Sequence, residues 1–221
     1  FEQALVDLGY DDVVNDFVLT ANISGVTSMT ISNYQNEEDY VSDLTGIGGF
    51  TALTTLNVSY NSLTTLDMSA NTALTYLQCY GNSLTSINVS ANTALVELQC
   101  GGNNLTSLDI TNNTALTILG AQRNSFTSLD LSNNVLLVTL FLKEGDLTSL
   151  DVSNNTALGR IECQFNSLET LDFSNNTALY SLICNNNQLN GLDVTSNTAL
   201  TTLSCYNNPL NNLDVTSNTA L

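Results

Sequence analysis

Residues 53–73 read LTTLNVSYNSLTTLDMSANTA, and residues 74–94 read LTYLQCYGNSLTSINVSANTA. The second stretch is the first displaced by 21 residues, with the same residue class at most positions. Leucine recurs in that register at Leu53, Leu74, Leu95, Leu116, Leu137, Leu158, Leu179, Leu200 and Leu221, without an insertion or deletion. A fixed period of this length specifies a solenoid. Each unit is too small to bury its own apolar face and does so by stacking on its neighbours. Such a fold offers an extended surface and no deep cleft, so recognition is sought before catalysis.

The unit can be read residue by residue. Leu56 and Val58 alternate with Asn57, a period of two, which predicts a strand with one face in the core. Because the repeat never slips, strands of successive units must be parallel and in register. The second half alternates again through Leu66, Asp67 and Met68. It reads as extended chain with room for a second short strand and none for a full helix. At roughly 4.8 Å per coil, the array stacks to about 40 Å. Two asparagine columns run through it. One holds Asn61, Asn82, Asn103, Asn124, Asn166, Asn187 and Asn208, with Gly145 as the exception. The other runs unbroken from Asn71 to Asn218. An inward amide at a tight turn satisfies backbone groups of its own coil and the next.

Five cysteines, Cys79, Cys100, Cys163, Cys184 and Cys205, share one repeat position that otherwise holds Val58, Ala121 or Leu142. A site that accepts all these residues is a core site, where cysteine acts as a small hydrophobe. The spacing is not that of a metal-binding Cys-x-x-Cys pair. Stacked parallel Cβ vectors also suit disulfide geometry badly.

The segment Leu53-x-x-Leu56-x-Val58-x-x-Asn61-x-Leu63 matches the leucine-rich-repeat strand signature, and Leu63-x-x-Leu66-Asp67-Met68-Ser69-x-Asn71 nests a similar pattern in the remainder. The nested unit resembles the IRREKO class of bacterial leucine-rich repeats over all eight units. The opening, FEQALVDLGYDD followed by VLTANISGVTSMTIS, resembles the N-terminal region of secreted repeat proteins of Bacteroidetes. In that group a sorting domain for type IX secretion often follows the array. The expected fold is a leucine-rich-repeat solenoid of short parallel strands, mostly β and extended coil with little helix, carrying an N-terminal helical cap. Residues 1–52 form the cap and a degenerate first repeat. Residues 53–221 form eight regular repeats, and Leu221 opens a further unit, so the array reads as cut short.

In the cap, Phe1, Ala4, Leu5 and Leu8 follow the spacing of an amphipathic helix that Gly9 ends. Val26, Met29 and Ile31 sit where later units place Leu, Leu and Val or Cys, and Glu37-Glu38-Asp39 lengthens that unit by an acidic insertion.

Composition narrows the function. Twenty-one acidic residues stand against three basic ones and no histidine, a formal charge of −18. Phosphate recognition needs clustered Lys and Arg, so nucleic acid is not the expected partner, and anionic membranes are disfavoured likewise. No stretch approaches the roughly 18 apolar residues of a membrane span, and no signal-peptide pattern opens the chain. Without histidine the commonest general base is missing, and no nucleophile-elbow, phosphate-loop or zinc-protease motif occurs, so no enzyme is expected.

Two surfaces remain. Asp67, Asp109, Asp130, Asp151, Asp172, Asp193 and Asp214 occupy one repeat position, with Asn88 in the gap. Carboxylates about 5 Å apart repel by about 0.8 kcal/mol in water. Either neighbouring hydroxyls such as Ser69, Thr111 and Ser132 and backbone N–H groups offset that, or calcium bridges Asp109, Asp130, Asp151, Asp172, Asp193 and Asp214. The second surface is the outward strand face, which varies where the rest of the unit is fixed. The position after the second leucine holds Asn57, Gln78, Gln99, Gly120, Phe141, Glu162, Ile183 and Ser204. Arg123, Lys143 and Arg160, the only basic residues, all fall there, with Phe141 and Phe165 beside them and Tyr76, Tyr80 and Tyr206 flanking. Aromatic residues with arginine are favoured at interface hot spots, and aromatic faces also stack on sugars. The unit at 137–157 is irregular, losing its asparagine to Gly145, and Leu136 stands for alanine just before it.

The expectation is an extracellular or cell-surface binding module of a bacterium that recognises a protein or a surface glycan through this face. The alternative is a spacer that presents another domain. End-to-end self-association at the open C-terminal coil is a further expectation.

Overall fold

The computed structural model describes residues 1–15, 18–32 and 40–221. The acidic insertion Glu37-Glu38-Asp39 lies outside the described residues. Among the described residues, nine strands form one sheet in sequential order: β1 (Ser28–Thr30), β2 (Thr55–Asn57), β3 (Tyr76–Gln78), β4 (Glu97–Gln99), β5 (Ile118–Gly120), β6 (Thr139–Phe141), β7 (Arg160–Glu162), β8 (Ser181–Ile183) and β9 (Thr202–Ser204). All neighbours are parallel, and each leucine pairs with its counterpart one period on, as Leu56 does with Leu77 and Leu98 with Leu119. Each strand is three residues long, with its middle side chain turned inward. Alternation fixes that orientation, since a slip of one residue would put leucine in water.

β1 pairs with β2 across a longer interval than the regular units keep. Met29 lies opposite Leu56, a spacing of 27 residues (56 − 29), six more than the regular period. The second half of each coil is extended chain. Its one bridge outside the named strands, among the described residues, joins Asp67 to Asn88, so a continuous second sheet does not form.

The core is a set of columns. Leu53, Leu56, Val58 and Leu63 of one coil stack on Leu74, Leu77, Cys79 and Leu84 of the next, all fully buried. Cys79, Cys100, Cys163 and Cys184 sit in this core as free thiols, and Cys205 is partly exposed. Burial pushes the Cys100 and Cys163 thiols up to about 12.

Both asparagine columns link coils. Asn82 Nδ2 donates to Cys79 O (3.1 Å) in its own coil and Val58 O (3.0 Å) in the preceding one, while its Oδ1 accepts from Leu63 N (3.0 Å). In the second column, Asn92 Nδ2 donates to Met68 O (3.1 Å) and Asn71 O (2.8 Å). The Oδ1 atoms of this column, from Asn71 to Asn218, accept no hydrogen bond from the protein. Two donated bonds per amide hold each rung.

At the N-terminus, α1 (Glu2–Asp7) buries Leu5, and Gly9, at φ +75°, turns the chain away. The cap seats on Phe50, whose ring centroid lies 6.3 Å from that of Phe1 and 6.1 Å from that of Tyr10. Leu8 corrects the amphipathic reading. The helix ends at Asp7, so the i+7 position falls past its last turn, and Leu8 is exposed. A second short helix, α2 (Thr20–Ile23), has no clear periodic signal and buries Ile23.

Candidate functional site

The Asp column is built from tight turns. Oδ1 of Asp67 accepts from Ser69 N (2.9 Å), and the same bond recurs at Asp109, Asp130, Asp151, Asp172, Asp193 and Asp214. Thr111, Thr195 and Thr216 add their hydroxyls at 2.7 Å. These bonds hold all seven carboxyls below the ordinary value of 3.8. The hydroxyl contributes most at Asp109, Asp130, Asp193 and Asp214, and the backbone N–H at Asp67, Asp151 and Asp172. The carboxylate thus has a role inside its own coil. Among the described residues, no group of three His, Cys, Asp or Glu side chains is arranged to hold a metal ion.

The strand face carries more varied chemistry. The turn after each of the strands β2 to β9 places one residue in the left-handed region, at Tyr60, Gly81, Gly102, Arg123, Glu144, Phe165, Asn186 and Asn207 (φ +53° to +67°). Glycine and asparagine suit that conformation, whereas other L-residues cost about 1–2 kcal/mol there. Four coils nonetheless place a ring or a charge on it.

Arg123 and Glu144 occupy that position in neighbouring coils and pair through two bonds, Nε to Oε2 at 2.7 Å and Nη2 to Oε1 at 3.3 Å. Arg123 Nη1 also donates to the Tyr80 hydroxyl, two coils away, at 3.3 Å. The Tyr80 ring packs over Gly102 and against Tyr60 (centroids 5.4 Å apart). The hydrogen bond from Arg123 draws Glu144 below its ordinary pKa, and the one to Glu144 raises Arg123.

One coil further, the Glu162 carboxylate is nearly buried between two cations. Lys143 Nζ approaches it at 3.6 Å, and the Arg160 guanidinium bonds it directly while lying over the Phe141 ring, 5.2 Å from its centroid. Arg160 Nε, Gln122 Oε1 and Gln164 Oε1 are buried without a partner in the protein.

Of the residues expected from sequence, Tyr80, Arg123, Phe141, Lys143 and Arg160 come together in one cluster. Phe165, half exposed, stands at the turn of the adjoining coil. Tyr76 repeats the Arg160 position four coils earlier, about 19 Å away at strand spacing, and Tyr206 follows β9. The three cations are not a bare basic patch, because Glu144 and Glu162 engage all of them. Glu144 was missed. Its signal is an acidic residue one period after Arg123.

No protein-family model and no curated protein matches the chain. Among solved structures it is similar to the functional domain of InlJ from Listeria monocytogenes, described as including a cysteine ladder, with a TM-score of 0.88 and 39% identity over 92% of this chain and 44% of that one. A leucine-rich-repeat protein from Leptospira interrogans matches at TM-score 0.68 and 18% identity, over 89% of this chain and 56% of that one. Internalin C2 from Listeria monocytogenes matches at TM-score 0.67 and 20% identity, over 98% and 86%. The last two establish the fold alone. The chain thus spans about half the length of the first two. In fold and in repeat it is a leucine-rich-repeat solenoid, similar to bacterial internalin structures.

Proposed function

We propose that this domain is an extracellular binding module that recognises another protein through the strand face between Tyr80 and Phe165. The observation that carries the reading is the left-handed turn position. Tyr60, Arg123, Glu144 and Phe165 occupy a backbone site that favours Gly or Asn, and they project side chains from it. Local strain of this kind concentrates at ligand-contact sites. The ion pairs are suited to exchange. Arg123 and Glu144 are 54% and 38% exposed, and pairs in that setting contribute about 0–1 kcal/mol, so trading one for a ligand group costs little. Similarity to the internalin-type domain supports a binding role. Resemblance to secreted bacterial repeat proteins supports an extracellular place, and no helix among the described residues is long and apolar enough to cross a membrane.

The test is a screen of the immobilised domain against arrays of extracellular proteins, with a glycan array in parallel. Each hit is repeated with Arg123→Asn, Glu144→Asn and Phe165→Asn. Asparagine stands at the same turn in Asn186 and Asn207, so the fold is preserved. We expect a protein hit weakened at least about tenfold, as for a hot-spot residue. A hit indifferent to all three changes, or glycan hits alone, would sink the reading. No hit at all leaves the spacer role as the account of the domain.

A further inference from the structure

Asn190-Gly191 is the one Asn-Gly pair in the chain. It lies in the coil that opens at Leu179, where earlier coils carry Thr85-Ser86 or Thr148-Ser149. Buried Leu189 and Leu192 flank it, and the two residues between them are exposed. Among the described residues, no hydrogen bond holds the Asn190 side chain or the Gly191 N–H. A Cβ built on Gly191 would meet no atom within 4 Å, so the space beside it is open.

Other asparagines lack this combination. Where serine follows, as at Asn82 and Asn166, the side-chain amide is bonded to the backbone of two coils. Exposed Asn112, Asn133 and Asn175 donate to carbonyl oxygens of the preceding coil, at 3.3, 3.1 and 3.2 Å. Asn154 and Asn211 are exposed as well, but each is followed by a further asparagine, whose side chain crowds the N–H that would have to react.

The chemistry of the open pair is intramolecular. The Gly191 nitrogen, after losing its proton to base, attacks Asn190 Cγ. A new N–C bond closes a five-membered succinimide ring, and the Cγ–Nδ2 bond breaks to release ammonia. Water then adds to one of the two ring carbonyls and opens the ring. One opening leaves aspartate at position 190. The other leaves isoaspartate, in which the main chain runs through the side-chain carboxyl carbon. Nothing is oxidised or reduced, and the only co-reactant is solvent water. Both reacting groups belong to one dipeptide, so proximity replaces an enzyme. Glycine lets the chain turn into the attack geometry without a Cβ in the way.

We propose that Asn190 is a site of spontaneous covalent modification, converted to aspartate and isoaspartate through Gly191. This is independent of the strand-face reading. Each conversion adds one negative charge to the −18 already present. The new carboxylate stands one period after Glu169 (190 − 21) and three residues before Asp193, so it enlarges an acidic flank. The isoaspartyl product also inserts an extra main-chain carbon between two buried leucines.

The test is to incubate the folded domain at neutral and at mildly alkaline pH and to follow every asparagine by peptide mapping with mass spectrometry, using fragmentation that separates aspartate from isoaspartate. Position 190 should react first, at least about tenfold faster than any other asparagine, a barrier lower by about 1.4 kcal/mol. Its rate should rise with pH, because the attacking nitrogen must lose a proton. Gly191→Ser installs the residue that Ser149 places at the same repeat position, so the coil is preserved. It should slow the reaction at least about tenfold. Another asparagine reacting ahead of Asn190, no reaction at Asn190, or a Gly191→Ser chain that reacts as fast as the parent would each overturn the proposal.

Discussion

Phe165 holds φ at +59° with half of its side chain in water, and so it contributes strain and little burial to its coil. Phe165→Asn should stabilise the fold by about 0.5–1 kcal/mol by placing a residue that tolerates the left-handed region. Chemical denaturation would read this as a higher midpoint at unchanged slope. Gly145 is the converse case. It breaks a column in which asparagine elsewhere makes three or four bonds, and a Cβ there would meet Asn166 Oδ1 at 3.1 Å and Asn124 O at 3.2 Å. That contact asks the neighbours to yield by tenths of an ångström. The restored bonds and the stiffer unfolded chain outweigh it, so Gly145→Asn should raise stability by about 1 kcal/mol, or about 2–4 °C in Tm. A lower Tm would show that the coil has settled around the missing side chain. Neither φ nor fit was legible in sequence, because Tyr60, Gly81, Arg123 and Asn186 share a backbone conformation but no chemistry.

At the scale of the coil, the Asp turns set the response to acid. Their carboxyls lie below the ordinary value of 3.8 when folded, so their contribution is fully present above that value and is lost as pH falls through the lowered one. Tm should be level near neutrality and fall below about pH 4, with protonation of the column easing repulsion between neighbours and blunting the drop. Changing Asp130, Asp151 and Asp172 together to Asn, as at Asn88, should flatten the acid limb. A limb unchanged by that variant would place the acid response elsewhere. The cysteines make a second test. Cys205 is the one partly exposed thiol, so a thiol reagent should label it first and reach Cys79, Cys100, Cys163 and Cys184 only on unfolding. Rapid labelling of all five would contradict the packed core. The cysteine column was legible because one position accepted Val, Ala, Leu and Cys alike. The ion pairs were less so, because Glu144 meets Arg123 across a coil boundary, and only stacking brings residues 21 apart into contact.

Across the molecule, register was readable because the repeat permits a single way to stack. A shift by one residue would empty every core column, so the eight parallel strands of the regular units follow from spacing alone, while β1 joins them across a longer interval of 27 residues. The partner surface was not readable on the same terms, since exposed positions answer to whatever they touch and to no internal rule. The direction of the interstrand hydrogen bonds has a mechanical result. They run along the long axis, from Val58 N to Gln78 O and from Cys79 N to Gln99 O. A load applied at the two termini therefore opens them in tension, one winding at a time, instead of shearing them together. In an optical trap the domain should lengthen in small, nearly equal steps of about 60–70 Å, the contour of 21 residues less one strand spacing. Such a tether would yield gradually under flow and rewind when slack returns.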